Sequence, residues 1–343
     1  MITEPKTDPA LSTLLEAWVA RTRLSWSQTA AAVSLGLLLL LVGAAYLDGV
    51  LTGPIDTSSW RNLLMAPAIV AYVLLVLPKL KQLRENAIAA FRPLVPLDDE
   101  RFQRTLAGAS VFNRRRELLA LGAGAVAGVL LNRAWWPLIP FWMTVYFILA
   151  SAIMYGLLGC FVYSSLSGTR LFRETNACAL DVSVFELALL EPVGRWSLGV
   201  ALSYVGGNTL SLIFIHQLAL IVETAIIYGV LLLAPVLVFF LNMASTRRIM
   251  VNAKKQELKM VRESLVAASQ ALKEKAAQGE PEDMRVLLDR FTSWVAVEKR
   301  VREVPEWPYT TGIQRSMALS LLLPIAVGVS QALLTQAALR LLH

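Results

Sequence analysis

Residues that commonly carry out chemistry are scarce in this sequence of 343 residues. It contains two cysteines, Cys160 and Cys178, and two histidines, His216 and His343. No two of them have the spacing of metal ligands, and no serine, histidine and acid are arranged for nucleophilic catalysis. Cys160 falls inside an apolar stretch and Cys178 in a polar connection, so a structural disulfide is not expected. We therefore expect a non-enzymatic protein with no metal site and no cofactor.

Ionisable residues inside long apolar stretches often mark the ion or proton paths of membrane proteins. The only acid near the middle of such a stretch is Glu223, and its surroundings favour a solvated turn near the outer membrane interface. An ion or proton site at Glu223 is the alternative interpretation. Coupled transporters usually hold carboxylates in mid-membrane, so a coupled transporter is a third-ranked function for this chain.

Uncharged polar residues form a stripe along the last apolar stretch. Gln331 and Thr335 are four residues apart and therefore share a helix face, and Ser320 lies earlier in the same stretch. Such a stripe is commonly a seam of hydrogen bonds between packed helices, but the same side chains would also suit the wall of a water-filled pore. A weaker stripe with the same two interpretations consists of Tyr204, Asn208 and Ser211.

Small residues recur every four positions at Ala120, Gly124 and Gly128. This spacing lets two helix backbones approach closely, which predicts a helix-packing face. Packing within one subunit is the ordinary interpretation, and contact between subunits is the alternative. The glycines at 122–128 superficially resemble a nucleotide-binding loop, but they lie inside an apolar helix with no preceding strand.

The elements that position these residues are predicted to be membrane-spanning helices. The chain is 56% hydrophobic and 17% charged, whereas soluble domains carry roughly 25% charged residues. A helix needs about 20 apolar residues to cross a bilayer, and the stretches that meet this need are 27–49, 62–78, 117–132, 137–165, 197–214, 224–243 and 316–339. We therefore predict an all-α, polytopic membrane protein with about seven spans. The block 196–243 is also compatible with one kinked, re-entrant helix.

The distribution of lysine and arginine predicts the orientation of the chain. With the N-terminus inside, the inner segments carry 29 of these residues and the outer segments carry 3, as the positive-inside rule requires. Residues 1–25 are then cytoplasmic, as are the connections at 79–116 and 166–196, and the C-terminus lies outside. The net charge of +7 thus reflects topology, so no nucleic-acid partner is expected. The predicted location is a plasma membrane, the inner membrane of a bacterium, with the lipid bilayer as partner.

Residues 244–303 are predicted to form a cytoplasmic, antiparallel helical hairpin of the coiled-coil type. The positions that repeat every seven residues, the a positions, are Val251, Leu258, Leu265 and Leu272. The d positions, three residues after each, are Lys254, Val261, Ala268 and Lys275 and complete the a/d seam. Glycine and proline within 279–281 interrupt the pattern and predict the turn. We expect this seam to assemble a homo-oligomer. Docking of a cytoplasmic protein partner is the alternative.

Residues 304–343 comprise a linker and the last predicted span. Pro305 and Pro308 stiffen the linker, and Trp307 suits the membrane interface. One interpretation is a rigid coupler that carries movement of the hairpin into the last helix. The plainer interpretation is a proline-rich turn that returns the chain to the bilayer.

These features favour an oligomeric, passive channel that is gated or assembled through its cytoplasmic helices. The pore-lining residues would be Ser320, Gln331 and Thr335. The alternative function is a membrane scaffold or sensory protein whose hairpin docks a partner while the spans anchor it.

Overall fold

The structure, a computed structural model, describes residues 13–22, 24–52, 57–91, 114–175, 191–214, 222–278, 281–307 and 311–341. These ranges contain α-helices and no β-strand. The helices are α1 (Leu14–Thr22), α2 (Trp26–Leu47), α3 (Thr57–Phe91), α4 (Arg114–Leu131), α5 (Phe141–Thr175), α6 (Glu191–Phe214), α7 (Val222–Gln278), α8 (Pro281–Glu303) and α9 (Thr311–Leu341). The prediction of an all-α fold is confirmed for this part of the chain.

Five helices of the described chain are long and apolar enough to cross a membrane. Their apolar stretches are Trp26–Leu47, Trp60–Ala90, Phe141–Ser167, Glu191–Phe214 and Gly312–Ser330. They coincide with five of the seven predicted spans, so the prediction of a polytopic helical membrane protein is confirmed at this level. The number seven stays a prediction, as do the choice of membrane and the orientation.

The other two predicted spans lie on α4 and α7. Helix α4 is 18 residues long and begins with three arginines and Glu117, a charge content that a lipid-embedded segment of this length does not tolerate well. Its apolar part, 118–131, is shorter than the hydrocarbon core requires. The stretch 224–243 lies on α7, and the side chains of its first nine residues are outside the described part of the chain.

Two apolar clusters hold the helices together. Helices α2, α3 and α5 share a cluster whose most buried members include Leu41, Val70 and Leu74. The second cluster joins α6 and α7 to α9 and contains Val193, Val200, Met243, Met250 and Met317. Helices α3 and α6 also contact each other. This contact places the two clusters side by side and leaves a cavity where α5 meets both helices.

Helices α7 and α8 contact each other and run in opposite directions. Arg262 forms an ion pair with Glu298 at 3.7 Å, and Lys254 donates to the carbonyl oxygen of Val304, so the number of the contacted residue rises as the number on α7 falls. The four predicted seam positions, Val251, Leu258, Leu265 and Leu272, are half-buried. The helices therefore form an antiparallel pair. Its assignment as a cytoplasmic coiled coil stays a prediction.

Candidate functional site

A cavity of about 200 Å³ lies between α3, α5 and α6. All three helices are long and apolar enough to span a membrane. The cavity is lined from α3 by Met65, Ile69, Tyr72, Val73 and Val76, from α5 by Met154, Tyr155, Leu158 and Phe161, and from α6 by Ser203, Tyr204, Gly207, Asn208 and Ser211. We call it the α3–α5–α6 cavity. None of its lining side chains is ionised at neutral pH.

The polar side of this cavity is the weaker stripe that the sequence suggested. Tyr204, Asn208 and Ser211 all line it. The Tyr72 hydroxyl donates a hydrogen bond to the carbonyl oxygen of Ser203 at 2.9 Å, which joins α3 to α6. Sequence analysis missed the tyrosine because nothing in the local sequence relates it to a residue 131 positions away.

Two adjacent glycines of α6 set the shape of the cavity wall. A Cβ atom on Gly206 would overlap the Tyr72 hydroxyl, so this position needs glycine for the two helices to meet. A Cβ atom on Gly207 would lie 3.6 Å from the Tyr72 ring, an ordinary contact distance. A larger residue at 206 would therefore have to displace the Tyr72 side chain, whereas an added Cβ atom at 207 would contact the Tyr72 ring without overlap.

The predicted packing residues lie against α5 of the same chain. A Cβ atom on Gly124 would overlap the carbonyl oxygen of Tyr155, and one on Gly128 would lie 2.5 Å from the Tyr155 ring. From the opposite side, Gly159 approaches the carbonyl of Ala120. The small residues thus hold the α5 backbone, and with it the Tyr155 side chain that lines the cavity.

The linker that precedes α9 is fastened to α7. The Lys254 ammonium group donates to the carbonyl oxygen of Val304 at 2.8 Å and lies 3.8 Å from the Glu306 carboxylate. The Trp307 ring packs edge-on to Phe240 with centroids 5.9 Å apart, and the guanidinium carbon of Arg247 lies 4.7 Å from its centroid. Of the other predicted coupling residues, Pro305 is exposed and Pro308 lies outside the described residues.

The predicted pore-lining residues lie on α9. Ser320 is half-buried, and its hydroxyl donates to the Met317 carbonyl of its own helix at 2.8 Å. Gln331 and Thr335 belong to the helical backbone of α9, but their side chains are outside the described part of the chain. The part of α9 whose side chains are described contacts α6. Its buried residues include Ile313 and Met317.

A buried ionic network that the sequence analysis missed holds α1 to the bundle. The Arg84 guanidinium lies 3.1 Å from the Glu16 carboxylate, and their side chains are only 6% and 9% exposed. Glu117 accepts a hydrogen bond from the Leu14 amide at 2.8 Å. Thr13 and Glu16 form a reciprocal capping box at the start of α1. This Thr-x-x-Glu pattern was readable in the sequence, whereas the pairing with Arg84 was not.

No model of a known protein family matches the chain. The curated proteins and the solved structures give no match either. Within the described ranges, no three histidine, cysteine, aspartate or glutamate residues are grouped so that they could hold a metal ion.

Proposed function

We propose that this chain is a non-enzymatic membrane protein with seven spans and a cytoplasmic N-terminus, and that it forms a passive pore as a homo-oligomer. The α7–α8 pair lies in the cytoplasm, assembles the oligomer and sets the opening of the pore. The polar stripe of α9, with Ser320, Gln331 and Thr335, lines the conduit. Ions or small solutes pass down their own gradient, since mid-membrane carboxylates for coupling are lacking in the sequence.

The observation that carries this proposal is the junction between α7, the linker and α9. Helix α7 has 57 residues, a length of about 85 Å, so it carries the predicted sixth span and the first half of the hairpin on one helix. Lys254 and Trp307 bind the linker to this helix. A displacement of the hairpin is therefore passed to the start of α9, the proposed pore helix.

A scaffold or sensory protein is the second candidate function. It is favoured by large apolar side chains that are exposed on the helix pair, namely Met260, Val266, Val286, Leu288 and Val295. Apolar residues exposed close together are typical of surfaces that dock other proteins. In this function the spans anchor the chain and conduct nothing.

The proposal is tested by measuring ionic current across planar bilayers that contain the purified protein. Wild type is expected to conduct. Trp307→Ala removes the ring between Arg247 and Phe240. It is expected to change the open probability by up to about tenfold, because the free energy of a cation–π contact corresponds to a factor of about that size in an equilibrium. Trp307→Phe keeps an aromatic ring and is expected to behave more like wild type.

Mass measurement in detergent accompanies the electrical experiment. A homo-oligomer of wild type is expected, and Trp307→Ala should retain it, because the substitution lies outside the predicted assembly seam. If the wild-type oligomer is folded but carries no current, the pore proposal is overturned and the scaffold function remains. A stable monomer would overturn the assembly.

A further inference from the structure

We propose that the α3–α5–α6 cavity is a binding site for a small neutral molecule that has an apolar body and a hydroxyl group. Phenols and short alcohols belong to this chemical class. The site does not depend on the proposed pore, because its walls come from a single chain. Three properties support it: the volume of the cavity, the absence of charge along its walls and the hydrogen bonds already made there.

The volume fixes the size of the ligand. The cavity measures about 200 Å³, and an apolar protein cavity of about 150 Å³ accommodates a benzene ring. One aromatic ring with a small substituent therefore fits, whereas a lipid with two long acyl chains does not fit inside.

The walls fix the charge of the ligand. Methionine, valine, leucine, isoleucine and phenylalanine side chains line most of the surface, and none of the fourteen lining residues is ionised at neutral pH. An ion transferred from water into such a site would lose its hydration without a compensating partner, at a large cost in free energy. The ligand is therefore neutral.

The hydrogen bonds fix the polar group. The hydroxyls of Tyr72, Ser203 and Ser211 each donate their single proton to a backbone carbonyl, of Ser203, Gly199 and Asn208 respectively. A hydroxyl that has donated still has an oxygen that can accept. A ligand hydroxyl suits this wall because it can donate its proton to one of these oxygens.

The test uses 4-fluorophenol as the probe and ¹⁹F NMR of the purified protein in detergent. A saturable shift or broadening of the fluorine signal is expected with wild type. The matched compound 4-fluoroanisole has nearly the same size but lacks the donor. It is expected to bind about fivefold more weakly, the factor that corresponds to one typical hydrogen bond.

Gly207→Val is the variant that fills the cavity, because Gly207 lines it and an added Cβ atom would lie 3.6 Å from the Tyr72 ring without overlap. It is expected to lose the saturable signal. Gly43→Val makes the same change on α2, where nothing lies within 4 Å of the added Cβ, and it should bind like wild type. Loss of signal in both variants would show that the signal does not depend on the cavity, and an unchanged signal in both would assign it to partition into detergent. Either result would overturn the site.

Val76→Phe fills the cavity from α3 and replaces Gly207→Val in the test if that variant does not fold. Retention of wild-type binding in a folded Gly207→Val or Val76→Phe protein would overturn the proposal, as would the absence of a saturable signal with wild type. Equal binding of the phenol and the anisole would overturn the assignment of the hydroxyl group.

Discussion

At the scale of single residues, the packing of this bundle depends on glycines at which one helix lies directly against another. Gly124 and Gly128 of α4 lie directly against Tyr155 of α5, and Gly206 of α6 lies against the Tyr72 hydroxyl. Other helical glycines, such as Gly122, have nothing within 4 Å of an added Cβ. The spacing of small residues predicts the packing face, but only the structure tells which glycine is in contact.

This difference leads to a prediction for two glycines of the same helix. Gly124→Ala places a methyl group on the Tyr155 carbonyl, so α4 must move away from α5, and we expect a loss of roughly 1–3 kcal/mol of stability. Gly122→Ala meets open space and is expected to be neutral, or to stabilise by up to about 1 kcal/mol through helix propensity. Unfolding of the detergent-solubilised variants measures both. Equal effects of the two substitutions would contradict the α4–α5 packing.

Other residue pairs could not be predicted because their partners are far apart in the chain. Glu16 and Arg84 are 68 positions apart, and their burial depends on how α1 folds back onto the bundle. Periodicity and capping patterns report on neighbours within one helix. They say nothing about which helix lies opposite, so the α1 network and the contact of Tyr72 with α6 were missed.

At the scale of elements, helix α7 shows both the strength and the limit of a pattern. Heptad spacing predicted a helical hairpin over 244–303, and α7 and α8 do pair in opposite directions. The pattern does not distinguish the a positions, which include Leu258 and Leu265, from the d positions three residues after each. In the pair, however, Val261 and Ala268 are buried, whereas Leu258 and Leu265 are half-buried. These two d positions are therefore more deeply buried than the a positions next to them.

A charge in this contact should separate the two helices. Val261→Asp places an unpaired carboxylate at a position that is 1% exposed, where burial of a charge is costly. We expect lost pairing of α7 and α8, seen as faster proteolysis near residues 279–281, and loss of any homo-oligomer.

Met260→Asp is the matched control, because the adjacent residue is 55% exposed and a charge there stays in water. It is expected to keep the helix pair and the wild-type mass. If both variants resist protease like wild type, the α7–α8 contact does not hold the pair together. If only Met260→Asp alters the mass, assembly runs through the exposed apolar residues instead of the seam.

At the scale of the whole molecule, the proposed function requires that the α7–α8 pair lies in the cytoplasm. Counted from a cytoplasmic N-terminus, this holds if both α4 and 224–243 cross the bilayer, and equally if neither does, but not if only one of them crosses. The basic residues around Arg114 and Arg247 lie at the inner ends of these two spans in the predicted orientation. Seven crossings place the connection at 166–196 in the cytoplasm, whereas the five crossings of the described helices place it outside.

A reporter that is active only in the cytoplasm tests this arrangement. Fused within residues 176–190, it is expected to be active with seven crossings, whereas five crossings would leave it inactive there. Fused after Asn113 or within residues 276–280, it is expected to be active, because both positions lie on the inner side when seven spans are present and the N-terminus is inside. Fused after His343, it is expected to be inactive, because an odd number of crossings puts the C-terminus outside. Activity after His343, with activity retained after Asn113, would mean an even number of crossings and would point to 196–243 as a re-entrant segment. The conduit would then have to be sought between α6 and α7 and not along α9.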